Sequence, residues 1–425
     1  MNRREFLKTL GGAGLAIPSL LSGPACAPVP LQSDPTTGLS LGYISGDVTQ
    51  QSALIWLHAD AGSWVSLQFA EEPSFTYAKS TTAIAVDPGT DNSAIMALDN
   101  LRPATRYYYR ALVSGKTPGS TASFVTAPAP TDDAKVVFCF SGDSRESYQP
   151  FTIMRAVQAQ RPDFFLHLGD TIYADRGSNA HNLEEFWQKY RANRSDRFSQ
   201  NCFAATSVYA LWDDHEVADN YLPGHPLAPI GRKAFLDYWP IRRPASEPER
   251  IYHSVRWGRA LELFLLDSRQ YRDPKMGTLL GQGQRQWLLD GLAKSTATFK
   301  FVATPVPMAG GGSDRWDGYP KERSEILHYI NEKKLSGVVF LSADLHYAAI
   351  TKIPKSGGLI DITAGPLAAP LNRVTNSANR RYEFYLAENF NFGKITVDPK
   401  ADPNQALLEF VDQDNRVFHT RKIHA

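Results

Sequence analysis

Cysteine is almost missing from this sequence. Its 425 residues hold three, Cys26, Cys139 and Cys202, and three cannot build a disulfide framework. There is no CxxC pair and no zinc-ribbon spacing, so any metal must be held by carboxylates, imidazoles or phenols. Cys139 sits inside the apolar run VVFCF and reads as a small buried residue. Excess charge is also missing: 45 Lys and Arg stand against 44 Asp and Glu, a net charge of +1. That excludes a protein that grips nucleic acid or an anionic membrane mainly by bulk charge. It leaves room for a local cationic pocket around a phosphate. No apolar run reaches the ~20 residues that cross a bilayer, so no transmembrane span is expected. Internal repeats and low-complexity segments are absent as well. What remains is an ordinary globular composition, 43% hydrophobic and 21% charged, in a chain comfortable for two domains.

Residues 1–30 read as a targeting segment rather than as part of the fold. The stretch NRREFLK, with Arg3, Arg4, Phe6, Leu7 and Lys8, resembles a twin-arginine export signal. The resemblance implies the twin-arginine machinery as a partner and a periplasmic or secreted location. The stretch GPAC lacks the aliphatic residue expected three before a lipidated cysteine, which disfavours a lipoprotein anchor at Cys26.

From 38 to 127 the chain alternates apolar and polar residues in short runs broken by Gly, Pro, Asp and Asn, such as ALIWLHAD, WVSLQFA and RYYYRALVSG. This predicts a small β-sandwich of the fibronectin or immunoglobulin type. LDNLRPATRYYYRALV resembles the tyrosine corner of fibronectin type III domains. The Pro-rich TAPAPTDD at 126–133 is the expected boundary. From 134 to 425 apolar strands alternate with helical patterns, the α/β signature. Helices are expected at YQPFTIMRAVQAQRPD, NLEEFWQKYRANR, GQGQRQWLLDGLAKS and KERSEILHYINEKK. After about residue 358, LIDITAG, FGKITVD and LLEFVD look like strands of a second sheet.

The residues that follow five of the strands are the unusual feature. VVFCF leads to Asp143 and Arg145, and FFLHL leads to Asp170 and Tyr173. SVYALW leads to Asp213, Asp214, His215 and Glu216. LELFLL leads to Asp267 and Arg269, and GVVFLSA leads to Asp344 and His346. Any one Asp after a strand is a common turn or helix cap. Asp267 could simply pair with Arg269 or Arg272, and His167 within FFLHL reads as structural. Five strands delivering carboxylates to one sheet edge would repel one another severely unless a polyvalent cation lies among them. The edge therefore reads as a metal site of oxygen and imidazole ligands.

The motif order resembles the calcineurin-like metallophosphoesterases, and more closely the PhoD-type alkaline phosphatases and phosphodiesterases. The matching stretches are HLGDTIYAD, WDDHEVADNY, LDSRQYRD, QRQWLLDGLAKS, WDGYP and LSADLHYAAI. The resemblance implies a four-layer αββα sandwich after the small β-sandwich. It implies Asp143, Tyr173 and His346 on a first metal, Asp170 shared by both metals, and Asp214 and Asp344 on the second. His215 would contact the substrate and protonate the leaving group. Arg145 stands where many relatives have His, and either holds phosphate oxygens or pairs with Asp143. Asp213, Asp219 and Asn220 are spare ligands.

A phenolate suits Fe³⁺ at the Tyr173 site. The all-oxygen second site favours Ca²⁺, or Mn²⁺ or Mg²⁺, over zinc. The expected activity is that of an alkaline phosphatase and phosphodiesterase, in which a metal-bridging hydroxide attacks a phosphoester substrate. Two alternatives are a phospholipase-like or polymer-directed phosphodiesterase and a non-catalytic surface binding protein with a decayed phosphatase fold.

Overall fold

The computed structural model describes residues 39–116, 119–373 and 381–425. The expected export signal and Cys26 lie outside them. No helix among the described residues is long and apolar enough to cross a membrane.

Strand Ala53–His58 (ALIWLH) explains the N-terminal architecture. Every residue but the last is buried, because the two faces of the strand meet different cores. Ile55 and Leu57 join Val65, Leu67, Tyr109 and Phe124 inside a β-sandwich. Trp56, between them, joins Ile44 in the main core. One sheet of the sandwich is Tyr43–Gly46, Ala53–His58 and Ser93–Leu98. The other is built on Trp64–Ala70, Arg106–Val113 and Ala122–Val125. The tyrosine corner is present: the Tyr107 hydroxyl accepts the Arg102 N–H at 2.9 Å.

The first sheet does not end with the sandwich. Gly46 pairs with Val208 in parallel, so the three N-terminal strands continue a nine-stranded sheet. Next come Ser207–Leu211, Phe164–Leu168 and Val136–Ser141, parallel to one another. Asn391–Val397 then runs antiparallel to Val136–Ser141, and Gln405–Asp412 and Val417–His424 complete the sheet. A seven-stranded sheet faces it, with Leu261–Leu265, Phe299–Ala303, Val338–Ser342 and Ile360–Thr363 parallel at its centre. Phe138 of the first sheet stacks on its neighbour Phe164 at 4.9 Å and meets Phe301 of the second sheet edge-on at 5.2 Å.

Helices Gly281–Lys294 and Pro320–Glu332 cover the outer face of the second sheet through Leu288, Leu292, Ile326 and Ile330. Helices Ile153–Ala159, Leu183–Arg194, Arg197–Ala205 and Ala228–Tyr238 pack on the first. The result is a four-layer αββα sandwich with a small β-sandwich built onto one sheet edge. Cys139 and Cys202 are both buried and free.

The second sheet begins earlier than expected, at His253–Trp257, and FGKITVD and LLEFVD return to the first sheet. Antiparallel return strands carry the same apolar alternation in either sheet, so their pattern does not say which one they join. Helix Ala228–Tyr238 was not anticipated because APIGRKAFLDY carries Pro229 at its start and Gly231 inside it. The first expected helix is shorter, Ile153–Ala159. Arg197–Ala205 is a further helix, capped by Asp196, whose side chain accepts the Ser199 N–H.

Where the N-terminal segment meets the rest, Asp47 and His253 form an ion pair of 3.3 Å. Burial opposes the imidazolium, but Asp47 outweighs it and raises the His253 pKa. Burial also opposes the Asp47 carboxylate, but His253 and the Arg242 N–H lower its pKa. The stabilisation from His253 is complete below its unfolded value of about 6.5 and fades as pH rises through the higher folded value. That from Asp47 is complete above about 3.9 and fades as pH falls through the lower folded value. Denaturant midpoints of wild type and His253→Gln should therefore differ most between about pH 4 and 6.5, and converge toward pH 9. A difference independent of pH would exclude the ion pair as its source.

Candidate metal and phosphoester site

The carboxyl ends of the parallel strands in the two sheets meet at one place. Asp143, Asp170 and the Asp213–Glu216 turn come from the first sheet, and Asp344 and His346 come from the second. The expectation of five strands on one sheet edge is therefore corrected to two converging edges.

The turns are tight and unusual. Asp143, Asp170, Asp344 and His346 all have positive φ, between 52° and 66°. Such left-handed backbone is sparsely populated by residues other than glycine and gathers at functional sites. Gly169 precedes Asp170 with φ of 105°. A Cβ there would lie 2.7 Å from the Asp213 Cβ, so only glycine lets the two strand ends cross. At Gly365 a Cβ would lie 2.8 Å from Asp143 Oδ2.

Three donor groups result, each with atoms within 4.8 Å of one another: Asp143, Asp170 and His346; Asp170, Asp214 and His215; and Asp213, Asp214 and Asp344. Tyr173 joins the first, with its hydroxyl 3.3 Å from His346 Nε2. His346 Nε2 also lies 3.4 Å from Asp143 Oδ1. His346 Nδ1 donates to the Pro370 carbonyl at 2.6 Å, which turns Nε2 toward the carboxylates as metal-binding histidines require. Asp214 is thus shared between the second and third groups, and Asp213, a spare ligand by sequence, stands in the third. Among the described residues, Asp219 and Asn220 enter none of the groups. Asp219 instead pairs with Arg176 at 3.4 Å, and the Asn220 N–H binds Asp214 Oδ2 at 2.6 Å.

The electrostatics fit a cation. Burial, then Asp214, Asp213, Glu216 and Asp143, push the Asp170 pKa well above the carboxylate range. Burial, then Asp170, Asp143, Asp214 and Glu216, also push Tyr173 well up. Asp143 Oδ2 and Asp213 Oδ2 are buried without a hydrogen-bond partner. Unpaired anionic oxygens in a buried like-charge cluster are what a polyvalent cation relieves.

Two buried groups that the sequence reading left without a role hold this arrangement. Glu216 is fully buried and accepts the N–H groups of Asp170 at 3.1 Å, Thr171 at 2.6 Å and Asp213 at 2.8 Å. One carboxylate thus fixes two strand-end turns, and burial nonetheless raises its pKa to about 7. Arg269, also fully buried, reaches Asp213 at 2.5 Å and Asp214 at 3.4 Å. Burial would raise Asp214, but Arg269, His215 and the Asn220 N–H bring it down to about 2. Asp267 does not enter the site: Oδ1 accepts Trp212 Nε1 and the Arg269 N–H, each at 2.9 Å. His167 is buried and held neutral, its pKa lowered to about 3 by burial and Arg194.

His215 lies over the cluster with its ring stacked on Tyr173 at 4.3 Å. Its Nδ1 binds Asp175 at 2.7 Å. Asp175, the second carboxylate of LGDTIYAD, had no role in the sequence reading. Its position five residues after Asp170 was the available signal. Burial disfavours the imidazolium, but the Asp175 hydrogen bond and the charges of Asp214 and Asp175 raise its pKa overall. Arg145 lies over the Tyr173 ring, 5.8 Å from its centre. Arg315 makes a two-point contact with Asp344, Nε to Oδ2 and Nη2 to Oδ1 at 3.0 Å.

Comparison with known proteins agrees with this architecture. The family model for the PhoD-like phosphatase matches residues 136–398, and the model for the N-terminal domain of PhoD-like phosphatases matches residues 25–128. Alkaline phosphatase D of Bacillus subtilis is 26% identical over 417 residues, covering 81% of this chain and 71% of the relative. A solved structure of PhoD superposes with a TM-score of 0.80 at 20% identity, covering 92% of each chain. A purple acid phosphatase from yellow lupin (Lupinus luteus) seeds superposes at 0.68 with 16% identity, covering 90% of this chain and 73% of that one. With a family model matched over more than half its length, this chain belongs to the PhoD-like phosphatase family and is a phosphatase.

Proposed function

We propose that the chain is an exported phosphoester hydrolase that works with two metal ions. Residues 134–425 carry the chemistry and the sandwich of residues 38–127 flanks it. The observation that carries the reading is the set of buried, partly unpaired carboxylates beside His346, Tyr173 and His215. Asp143, Asp170, Tyr173 and His346 would hold one metal, with Fe³⁺ suited to the phenolate. Asp170, Asp214 and Asp344 would hold the other, with Ca²⁺, or Mn²⁺ or Mg²⁺, suited to oxygen donors. When bound, such metals supply Lewis-acid charge and acidify a water for attack on phosphorus. Export rests on Arg3 and Arg4 in NRREFLK.

The chain's own groups supply the rest. Among the described residues the Arg145 guanidinium has no carboxylate partner, so it is available to the non-bridging phosphate oxygens. His215 is held through Nδ1 by Asp175, which leaves Nε2 to donate a proton to the departing alkoxide. Against burial, the Asp175 hydrogen bond and the neighbouring carboxylates raise its pKa, which favours the protonated form that a general acid needs.

Three outcomes test this reading. His215→Ala should keep its metal content and lose roughly 10²–10⁴-fold in kcat on an alkyl phosphoester. The loss should be smaller on a nitrophenyl ester, whose leaving group departs without a proton. An equal loss on both, with metal missing, would remove His215 from catalysis. Asp175 acts through His215, so Asp175→Asn should shift the alkaline limb of the kcat profile to lower pH with little change in KM. A profile that falls in height but keeps its limbs would leave Asp175 only structural. For the metal, purified protein should show a visible phenolate-to-iron band that Tyr173→Phe abolishes. A colourless, fully active enzyme containing only zinc would reject iron at Tyr173.

A further inference from the structure

Arg315 stands in an unusual place. It is the only residue among the described ones that binds both oxygens of Asp344, a carboxylate the reading above gives to the second metal. Asp213, Asp214 and Asp344 bring three negative charges together. Arg269 and Arg315 bring two positive ones. Arg315 engages both oxygens of Asp344, and those are the oxygens a cation would need from this residue. Arg315, rather than the sealed Arg269, therefore competes with the metal for Asp344.

The two arginines are not equivalent. The Arg269 side chain is fully buried and sealed beneath Asp213. The Arg315 side chain is 19% exposed and follows Gly310, Gly311 and Gly312, a segment with little intrinsic resistance to rearrangement. Its Nη1 is held separately, by the Gly311 carbonyl at 2.5 Å and Asp314 at 2.9 Å. Letting go of Asp344 would thus free the Nε and Nη2 edge while the far nitrogen stays anchored. That edge is the planar fork that binds two oxygens of a carboxylate or a phosphate equally well.

We propose that Arg315 is a metal-gated phosphate ligand. Without the second cation it neutralises Asp344. When the cation takes Asp344, the guanidinium edge is displaced and receives the phosphate of the substrate. The enzyme then offers its second arginine to phosphate only when the site is loaded. This rests on the two-metal reading above and adds a specific role for one side chain.

The test is calorimetry on the full mature chain, depleted of divalent cations by chelation and titrated first with Ca²⁺ and then with inorganic phosphate. Arg315→Gln should bind Ca²⁺ roughly tenfold tighter than wild type, because a charge-assisted competitor is gone. The Ca²⁺-loaded variant should bind phosphate roughly tenfold more weakly. Arg315→Lys, which keeps the charge but not the fork, should fall between them on both counts and serves if the Gln variant folds poorly. Equal Ca²⁺ affinity in variant and wild type would overturn the gate while leaving the two-metal reading intact. Unchanged phosphate affinity would overturn the second half of the proposal. Failure of wild type and variants alike to bind Ca²⁺ would overturn the calcium site and the inference with it.

Discussion

The crowding of carboxylates where two sheets converge governs this structure. Asp143, Asp170, Asp213, Asp214 and Glu216 are buried, and Asp344 is half-buried, all within a few residues of strand ends. Like charges this close in a poorly solvated place cannot all stay ionised without compensation. The protein compensates only in part. Arg269 is built in and sealed. The Glu216 carboxylate is turned away from its neighbours by three backbone N–H groups. The remaining deficit is left open, and it falls on Asp143, Asp170 and Asp213, whose pKa values burial and neighbouring carboxylates raise. That selective incompleteness is what suits the cluster to a cation and sets it apart from a merely polar core.

Compensation alone does not place ligand atoms. Asn193 does part of that work from helix Leu183–Arg194, donating to the Ser144 carbonyl at 3.0 Å and the Thr171 carbonyl at 2.6 Å. It ties the turn after Asp143 to the turn after Asp170. Glu216 ties the Asp170 turn to the Asp213 turn. The three strand ends of the first sheet are thus linked in series by one amide and one carboxylate, so the left-handed backbone at Asp143 and Asp170 is fixed from outside itself. A buried polar chain of this kind is costly unless every member is satisfied, which explains why Asn193 and Glu216 are so fully engaged.

Much of this could be read from the sequence, and the boundary of legibility has a physical cause. Apolar runs ending in Gly-Asp, Asp-Asp-His-Glu and Asp-Leu-His mark strand ends locally, so the residues that gather at the site were visible. Their grouping was not, because it depends on which sheet each strand joins. Asp213 and Asp344 come from different sheets, and nothing within either motif records that they meet. Arg269 and Arg315 were hidden for the same reason: LDSRQ and SDRWDG carry arginines beside nearer acids, and local pairing would have been the simpler reading. Helix Ala228–Tyr238 was obscured by its Pro and Gly, and packing overrides both. The continuity of the first sheet into the N-terminal sandwich rests on a single residue pair, Gly46 with Val208, which leaves no sequence pattern.

That continuity gives the sandwich a mechanical connection to the site. Trp56 Nε1 and the Ser93 hydroxyl both donate to the Asp237 carbonyl, at 2.8 and 3.1 Å. Asp91 pairs with Arg191 at 2.5 Å and accepts the Tyr238 hydroxyl. Asp237 in turn accepts Trp187 Nε1 at 2.9 Å. These contacts hold the two helices Leu183–Arg194 and Ala228–Tyr238 from the sandwich side. Arg191 and Trp187 lie on the same helix as Asn193, less than two turns away. A load path therefore runs from the sandwich through Asp91 and Arg191 to Asn193, and from there to the turns that carry Asp143 and Asp170. Because it passes through a half-buried ion pair, a helix and buried amide hydrogen bonds, displacement of the sandwich would be felt at the turns carrying Asp143 and Asp170 and would not be absorbed by a linker. The N-terminal segment is in this respect part of the frame that sets the geometry of the site, even though it contributes no donor atom to it.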